Sequence, residues 1–247
     1  MMLLVDIGNT AVKWALYGPA DGTGGGRIVH RGHDVVTVFN TAWIDLPDPE
    51  RILVANVAGD AVAASLADWT TSHWSLQPEF IRTEKAAGGV SNAYETATDL
   101  GVDRWAALVG AHQHVDGPVC VIDCGTAITI DLMSAGGQHL GGLILPGVGM
   151  LKEVLLEETA NVLSFQGEGS PELLAQSTGA GLHGGAVHMA VAAIDRIVNN
   201  YVASHGDALE LVITGGDAAE MLTLLARRAR HEPELVLKGL AILGGET

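Results

Sequence analysis

The amino-acid sequence predicts an α/β protein built from two similar halves with a cleft between them. A near-repeat supports this, because an apolar run, a D-x-G turn and a second strand occur at 3–17 and again at 119–133. Runs of strand length also alternate with segments of helical periodicity, which is typical of α/β folds. Pro118 interrupts the chain directly before the second copy. We therefore predict two domains, 1–117 and 118–247.

The first half begins with a predicted hairpin. Leu3 to Val5 is a short apolar run, and strand character resumes from Ala11 to Tyr17 after a turn that contains Gly8. An apolar run, a glycine-containing turn and a second run indicate two antiparallel strands. The other elements predicted in this half are a buried strand at 51–58 and helices at 60–71 and 98–114.

The second half repeats this hairpin and then continues with alternating elements. Its helix at 181–203 is predicted from Val187, Val191, Ile194, Val198 and Tyr201, which recur on one side of a helix. The other elements predicted in this half are strands at 140–145 and 209–213, a helix at 148–158 and a last helix that begins near Ala218.

Composition argues against two classes of partner. The chain of 247 residues is 48% hydrophobic, which is enough to form proper cores. Its net charge is −16, with 29 acidic and 13 basic residues. Binding to duplex nucleic acid or to an anionic membrane depends mainly on Lys and Arg. We therefore predict that neither nucleic acid nor a membrane is a partner.

Targeting signals and cysteines indicate a cytoplasmic protein. The opening MMLLVDIGNT reaches an Asp too early for a signal peptide, and no apolar run approaches the roughly 20 residues that a membrane-spanning helix needs. The two cysteines, Cys120 and Cys124, do not have the spacing of a zinc site. They predict two buried thiols in a reducing compartment.

Two turns of similar sequence predict phosphate binding. Asp6 to Thr10 reads DIGNT, in which Gly lets the backbone approach a phosphate and Asn and Thr can donate hydrogen bonds to it. Lys13 adds a positive charge. An ordinary hairpin turn would contain the same residue types. However, Asp123 to Ala127, DCGTA, supplies a second such turn at the equivalent position, and two carboxylates there can hold a cation against the phosphates.

Two further segments carry candidate chemistry. Thr214 to Asp217, TGGD, lies where a strand ends and a helix begins, a position whose amides suit an anion. It is not a Walker loop, because the pattern GxxxxGK[ST] does not occur in the sequence. In Gly101 to Arg104, Arg104 can pair with a substrate carboxylate and Asp103 can accept a proton from a hydroxyl. A solvated Asp–Arg pair on the first turn of a helix is the alternative interpretation.

Five motifs in this order resemble those of type III pantothenate kinases, and their order and spacing match across nearly the whole chain. They are Asp6–Thr10 with Lys13, Gly101–Arg104, Asp123–Ala127, Gly141–Gly147 and Thr214–Asp217. The resemblance implies two similar domains of the actin-like ATPase (ribonuclease H-like) architecture with an ATP cleft between them.

The resemblance also implies a role for each matching position. Asp103 resembles the general base that accepts the proton of the pantothenate hydroxyl. Asp123 resembles the ligand of a monovalent cation, K⁺ or NH₄⁺, and Mg²⁺ accompanies ATP. The implied ATP-binding residues are Asp6, Ile7, Gly8, Asn9, Thr10, Ala11, Val12, Lys13 and Thr126. The implied pantothenate-binding residues are Tyr94, Gly101, Val102, Asp103, Arg104 and Thr178.

The implied reaction is transfer of the ATP γ-phosphoryl group to the 4′-hydroxyl of pantothenate, the first step of coenzyme A biosynthesis. The resemblance further implies a homodimer with the pantothenate pocket near the subunit interface. One alternative is a nucleotide-binding accessory factor in transcriptional regulation, although the net charge argues against direct contact with DNA. Another is a different small-molecule kinase or a phosphatase of the same architecture, against which the Gly101–Arg104 motif and the short chain argue.

Overall fold

A computed structural model describes residues 1–18, 24–158, 171–206 and 208–245. The strands are β1 (Met2–Ile7), β2 (Ala11–Tyr17), β3 (Gly25–Val29), β4 (Arg51–Asn56), β5 (Glu79–Phe80), β6 (Ala86–Ala87), β7 (Val90–Ser91), β8 (Val119–Cys124), β9 (Ala127–Met133), β10 (His139–Pro146), β11 (Glu210–Thr214) and β12 (Ala229–His231). The helices are α1 (Val35–Trp43), α2 (Asp60–Trp74), α3 (Val102–His112), α4 (Val148–Glu158), α5 (Thr178–His205), α6 (Ala218–Leu222) and α7 (Leu235–Leu243). None of the described helices is long and apolar enough to cross a membrane.

Each half of the chain contains a five-stranded sheet of the same topology. The strand order is β3-β2-β1-β4-β5 in the first sheet and β10-β9-β8-β11-β12 in the second. In each sheet the three strands that come first in the chain form antiparallel pairs, and the two later strands run parallel to the first strand. The near-repeat in the sequence is therefore a repeat of structure, and the prediction of two similar α/β halves is confirmed.

The chain divides into two compact units whose limits differ from the predicted domains. The first unit contains Met1–His114 together with Glu234–Thr247, and the second contains Val115–Pro233. The change of unit after His114 lies three residues before the predicted boundary. The larger difference is at the C-terminus, because the residues from Glu234 onward are predicted to belong to the second domain but pack within the first unit.

Close packing of α7 against α3 explains why the C-terminus belongs to the first unit. Gly239 of α7 lies so near Ala106 of α3 that a Cβ atom on Gly239 would collide with the Ala106 carbonyl oxygen. Gly110 makes a similar approach to the backbone of Leu235 from the other helix. Glycines at both positions allow the two helix backbones to approach closely, and this contact depends on residues about 130 positions apart in the sequence.

The core of the first unit is rich in aromatic side chains. Phe39 and Trp43 of α1 stack with ring centroids 4.9 Å apart, and Trp43 meets Trp69 of α2 edge-on at 5.7 Å. Such pairs stabilise a core beyond the area that they bury. Helix α1 is missing from the sequence prediction, although Asp34 at its N-cap accepts a hydrogen bond from the Thr37 amide at 2.9 Å.

The core of the second unit forms between its sheet and α5. The predicted apolar stripe of α5 is confirmed, because Val187, Val191, Ile194 and Val198 are all buried. The thiols of Cys120 and Cys124 are free and buried in the same core, as predicted. Burial, with a smaller contribution from the Asp131 carboxylate, raises the pKa of Cys120 to about 12, so this thiol is an apolar core group.

Candidate active site

The first predicted phosphate turn connects β1 to β2. The turn is closed by the Gly8 amide, which donates to the carbonyl of Ala11 at 3.1 Å. Asp6, near the end of β1, is directly opposite Lys13 of β2 in the antiparallel register, so both side chains lie on the same face of the sheet. Asp6 is 8% exposed. The structure thus places a buried carboxylate and the Lys13 side chain on one face of the sheet at the base of the turn.

Eight of the residues predicted to bind ATP lie in this hairpin, and not all of them can contact a nucleotide through their side chains. Ile7 and Val12 are fully buried in the hydrophobic core of the first unit, so only their backbone groups can face a nucleotide. Asn9, at the tip of the turn, is exposed. The groups of the turn that can face a phosphate are therefore its backbone and its polar side chains.

The predicted base lies at the beginning of helix α3. Gly101 is the N-cap, and its carbonyl accepts the first helical hydrogen bond, from the Trp105 amide at 2.9 Å. The Asp103 carboxylate accepts the Arg104 amide hydrogen at 2.8 Å. A helix N-terminus favours negative charge, because its first amides lack helical acceptors. Asp103 therefore lies at the end of the helix where a carboxylate is favoured.

Arg104 and Tyr94 are brought together, as the prediction of a common substrate site requires. Arg104 is only 6% exposed. Its Nη1 donates to the Tyr94 hydroxyl at 3.2 Å, and its Cζ lies 5.8 Å from the centroid of the Tyr94 ring. A guanidinium near an aromatic ring gains a cation–π attraction, which orients it. Asp103, Arg104 and Tyr94 thus form one connected group in the first unit.

The second predicted phosphate turn lies between β8 and β9 and is packed between two glycines. A Cβ atom on Gly215 would collide with the backbone of Cys124, and one on Gly147 would collide with the carbonyls of Gly125 and Thr126. Gly215 has φ +99°, a conformation that favours glycine. Glycines at positions 147 and 215 therefore allow close approach to the DCGTA turn.

Asp123 is half-buried at the end of β8, next to the turn that follows β11. It is paired in register with Thr214, and a Cβ atom on Gly215 would lie 2.5 Å from its Oδ1. Burial, and then the charges of Asp123 and Asp217, raise the pKa of the Cys124 thiol, which indicates that both carboxylates lie near it. Among the described residues, no three His, Cys, Asp or Glu side chains form a metal-binding cluster. One or two carboxylates with backbone carbonyls fit a cation that also binds phosphate oxygens or water.

Comparison with known proteins identifies the family. The model of the family described as type III pantothenate kinase matches residues 2–200. A type III pantothenate kinase from Nitrosococcus oceani is 40% identical over 252 residues, covering 100% of this chain and 95% of the relative. Another from Alcanivorax borkumensis is 36% identical over 241 residues, covering 97% of each. The chain belongs to the type III pantothenate kinase family. The resemblance found in the sequence and the predicted enzyme class are thereby confirmed.

Solved structures confirm the fold class of this type III pantothenate kinase family member. A conserved Campylobacter jejuni protein, described as a candidate Baf family transcriptional activator, matches with a TM-score of 0.60. The match covers 98% of this chain and 96% of that protein, at 23% identity. Such a likeness concerns the fold alone. The α/β architecture of actin-like, ribonuclease H-like kinases, which the resemblance implies, agrees with the structural matches.

Three residues outside the family motifs hold the segment from Tyr94 to Leu100, which includes or borders residues predicted to bind pantothenate. The Asn92 side chain accepts the Tyr94 amide hydrogen at 2.9 Å and donates to the Ala97 carbonyl at 3.1 Å. Thr83 donates to the Leu100 carbonyl at 2.8 Å, and Lys85 donates to the Tyr94 carbonyl. The sequence analysis missed all three residues, because single polar residues in a loop resemble ordinary turn residues.

Thr178 is the one predicted pantothenate-binding residue that belongs to the second unit. It is exposed at the first position of α5, behind the N-cap Ser177, whose hydroxyl accepts the Ala180 amide hydrogen at 3.3 Å. Among the described contacts of the second unit, none joins Thr178 to Asp123 or Thr126. Its predicted role in substrate binding therefore stays a prediction.

A cavity in the second unit lies away from the predicted kinase residues. Its volume is about 790 Å³, and the residues from Ala208 to Leu211 and from Arg228 to His231 line it. These residues include the start of β11, whereas the turn at Thr214–Asp217 follows the opposite end of that strand. The cavity therefore does not mark the candidate active site.

Proposed function

We propose that the chain transfers the γ-phosphoryl group of ATP to the 4′-hydroxyl of pantothenate, which yields 4′-phosphopantothenate and ADP in the first step of coenzyme A biosynthesis. The family match carries this proposal, because it spans residues 2–200 and the relatives align over nearly the full chain. A regulatory role without kinase activity is not favoured, because relatives at 34–40% identity are named as kinases.

The pantothenate-binding part of the proposal rests on the group at the start of α3. Arg104 is charged, largely buried and oriented by Tyr94, which suits pairing with the pantothenate carboxylate. Asp103 accepts the proton of the 4′-hydroxyl as this oxygen attacks the γ-phosphorus and the bond to the ADP oxygen breaks. Gly101 and Val102 border the substrate through the backbone, and Thr178 of the second unit is a further contact.

The ATP-binding part rests on the two turns, each within its own unit. In the first unit, the Gly8–Thr10 backbone and Lys13 bind phosphate oxygens, and in the second unit Thr126 contacts ATP. Phosphoryl transfer needs little covalent chemistry from the protein, so positioning and charge neutralisation supply most of the rate. Asp6, which is buried and paired in register with Lys13, lies on the same face of the sheet as that lysine.

A kinase that uses ATP requires a divalent cation, and we propose Mg²⁺ for it, together with K⁺ or NH₄⁺ at Asp123. Oxygen ligands from carboxylates, carbonyls and phosphates suit all of these ions. The bound cations supply positive charge beside the phosphates. We also propose a cytoplasmic location, which agrees with the free thiols of Cys120 and Cys124.

The first test measures ADP release by the purified chain with ATP, Mg²⁺ and pantothenate, in potassium and in sodium buffers. We expect release to depend on pantothenate and to be at least about tenfold faster in potassium, because a fitted cation stabilises phosphate charge. Asp123→Asn should reduce this difference between the buffers, whereas Asp116→Asn, which changes an exposed carboxylate of the same unit, should preserve it. No release in either buffer from folded protein that binds ATP would contradict the proposed function.

We further propose a homodimer whose interface includes exposed apolar side chains of the second unit. Most of the exposed large apolar side chains that the structure describes belong to this unit. They are Leu140, Leu143 and Ile144 of β10, Met150, Val154 and Leu155 of α4, Leu173, Leu174, and Met189 of α5. Strand β10 is an edge strand, and α4 packs on both β10 and α5. An apolar surface of this kind is typical of a protein–protein contact.

Ile144→Asp should convert the dimer into monomers. Ile144 is 62% exposed in the isolated chain, and a charge at the centre of an apolar interface would be buried without a partner. Sedimentation equilibrium measures the mass, with Val36→Asp in the first unit as the matched control. If the pantothenate pocket lies near the interface, Ile144→Asp also raises the KM for pantothenate and leaves ATP binding unchanged. A wild-type chain that is monomeric at micromolar concentration would contradict the proposed dimer.

A further inference from the structure

His30 contacts the first phosphate turn from outside the sequence motifs. It follows directly after β3 and is 9% exposed. Its Nε2 lies 2.7 Å from the carbonyl oxygen of Gly8, in the middle of that turn. A carbonyl oxygen can only accept, so Nε2 carries the hydrogen and donates it. This contact joins the turn to a residue 22 positions later in the chain.

The backbone of the same residue holds a second carbonyl of the turn. The amides of His30 and Arg31 both donate to the Thr10 carbonyl, at 2.9 Å and 3.2 Å. The carbonyls of Gly8 and Thr10 are therefore both fixed from the side of β3. Removal of the His30 side chain would release the Gly8 carbonyl and leave the backbone hydrogen bonds to Thr10 intact.

The hydrogen bond to Gly8 also determines where the next amide points. In a trans peptide the C=O and N–H groups point in opposite directions. Because the Gly8 carbonyl points to His30, the Asn9 N–H of the same peptide points away from it. Asn9 is exposed, and its N–H has no acceptor among the residues that the structure describes. A backbone N–H that is fixed in direction and has no protein acceptor is suited to an anionic oxygen.

We propose that His30 is a positioning residue for ATP binding. It orients the Gly8–Asn9 peptide, and the Asn9 amide of that peptide binds a phosphate oxygen. The proposal rests on the proposed function in taking ATP as the ligand of this turn. His30 itself does not contact the nucleotide. Its effect is expected on the binding of ATP and not on the binding of pantothenate, whose predicted residues in the first unit lie at the start of α3 and at Tyr94.

The test compares three substitutions of His30 with different donors. His30→Phe keeps a ring and removes the donor, His30→Asn has a donor that is too short to reach, and His30→Gln places an amide N–H near the position of Nε2. We expect the first two to raise the KM for ATP about 5–10-fold, as loss of one positioning hydrogen bond implies. His30→Gln should stay within about threefold of wild type, and the KM for pantothenate should not change in any variant.

Controls separate this effect from a general loss of structure. His33→Phe alters an exposed histidine three residues later and should leave both KM values unchanged. Calorimetric titration with a non-hydrolysable ATP analogue measures binding without turnover, so it tests His30 even if pantothenate is not the substrate. An unchanged ATP affinity in His30→Phe and His30→Asn would overturn the proposal, and so would equal losses in all three variants.

Discussion

Asp103→Asn should lower turnover of pantothenate by at least about 10²-fold, the lower end for loss of a general base, and leave ATP affinity unchanged. The amide is almost the same size as the carboxylate, and its oxygen can still accept the Arg104 amide hydrogen that Asp103 accepts at 2.8 Å. The start of α3 is therefore expected to keep its structure. What disappears is the negative charge and the ability to take the proton of the attacking hydroxyl.

The measurement is kcat from ADP release at saturating substrates, together with calorimetric binding of a non-hydrolysable ATP analogue. Asp99→Asn is the matched control, because it removes an exposed carboxylate four residues earlier in the same segment and should retain normal turnover. Melting temperatures of both variants confirm that the first unit is folded. Near-normal turnover by Asp103→Asn would remove Asp103 from the role of base.

The repeated hairpins are the part of the fold that the sequence predicts best. Apolar runs on both sides of Asp6–Thr10 and of Asp123–Ala127 leave little choice of structure, because each run must be buried and the glycine between the runs favours a turn. The helix α4 at Val148–Glu158 agrees with its predicted limits. In contrast, the predicted helix at 98–114 begins only at Val102, because Ala97–Asp99 form a short 3-10 helix and Leu100 is extended.

The placement of α7 could not be predicted, because it depends on contacts between distant residues. The sequence around Gly239 does not show why glycine is needed there, because the reason is the close approach of Ala106 of α3. The second unit also ends differently from the prediction, since the helix beginning at Ala218 has five residues and is followed by β12. Local periodicity is too weak a signal in such short elements.

The sequence predicts those residues of the candidate site whose chemistry is evident from their residue type. It misses the residues that hold the backbone of other segments in place. Asp103 and Arg104 are recognisable because a carboxylate and a guanidinium are adjacent in an apolar stretch. His30 and Asn92 act by hydrogen bonds to the backbone of other segments, and a single His or Asn in a loop carries no such information. The structure is needed to show which carbonyl or amide each of them reaches.

Arg104→Gln should raise the KM for pantothenate by about 10²-fold, because loss of one partner of a buried charged pair costs about 2–5 kcal/mol. The argument depends on burial. A guanidinium that is 6% exposed and donates to the Tyr94 hydroxyl at 3.2 Å is held in one orientation before the substrate arrives, so little entropy is lost on binding. Arg104→Lys keeps the charge without the bidentate geometry, and we expect an increase of about tenfold.

An analogue of pantothenate in which an amide replaces the carboxylate tests whether Arg104 recognises the charge of the substrate or only packs in the core. Wild type should prefer pantothenate to the amide, and Arg104→Gln should bind the two equally, because the preference comes from the guanidinium–carboxylate pair. Arg82→Gln, an exposed arginine of the same unit, is the matched control and should keep the preference. If Arg104→Gln kept the preference for pantothenate while the melting temperature of this variant fell, Arg104 would be a residue that stabilises the core around α3. The pantothenate carboxylate would then have to be bound by a different cation, and Lys85, which donates to the Tyr94 carbonyl, would be the next residue to replace.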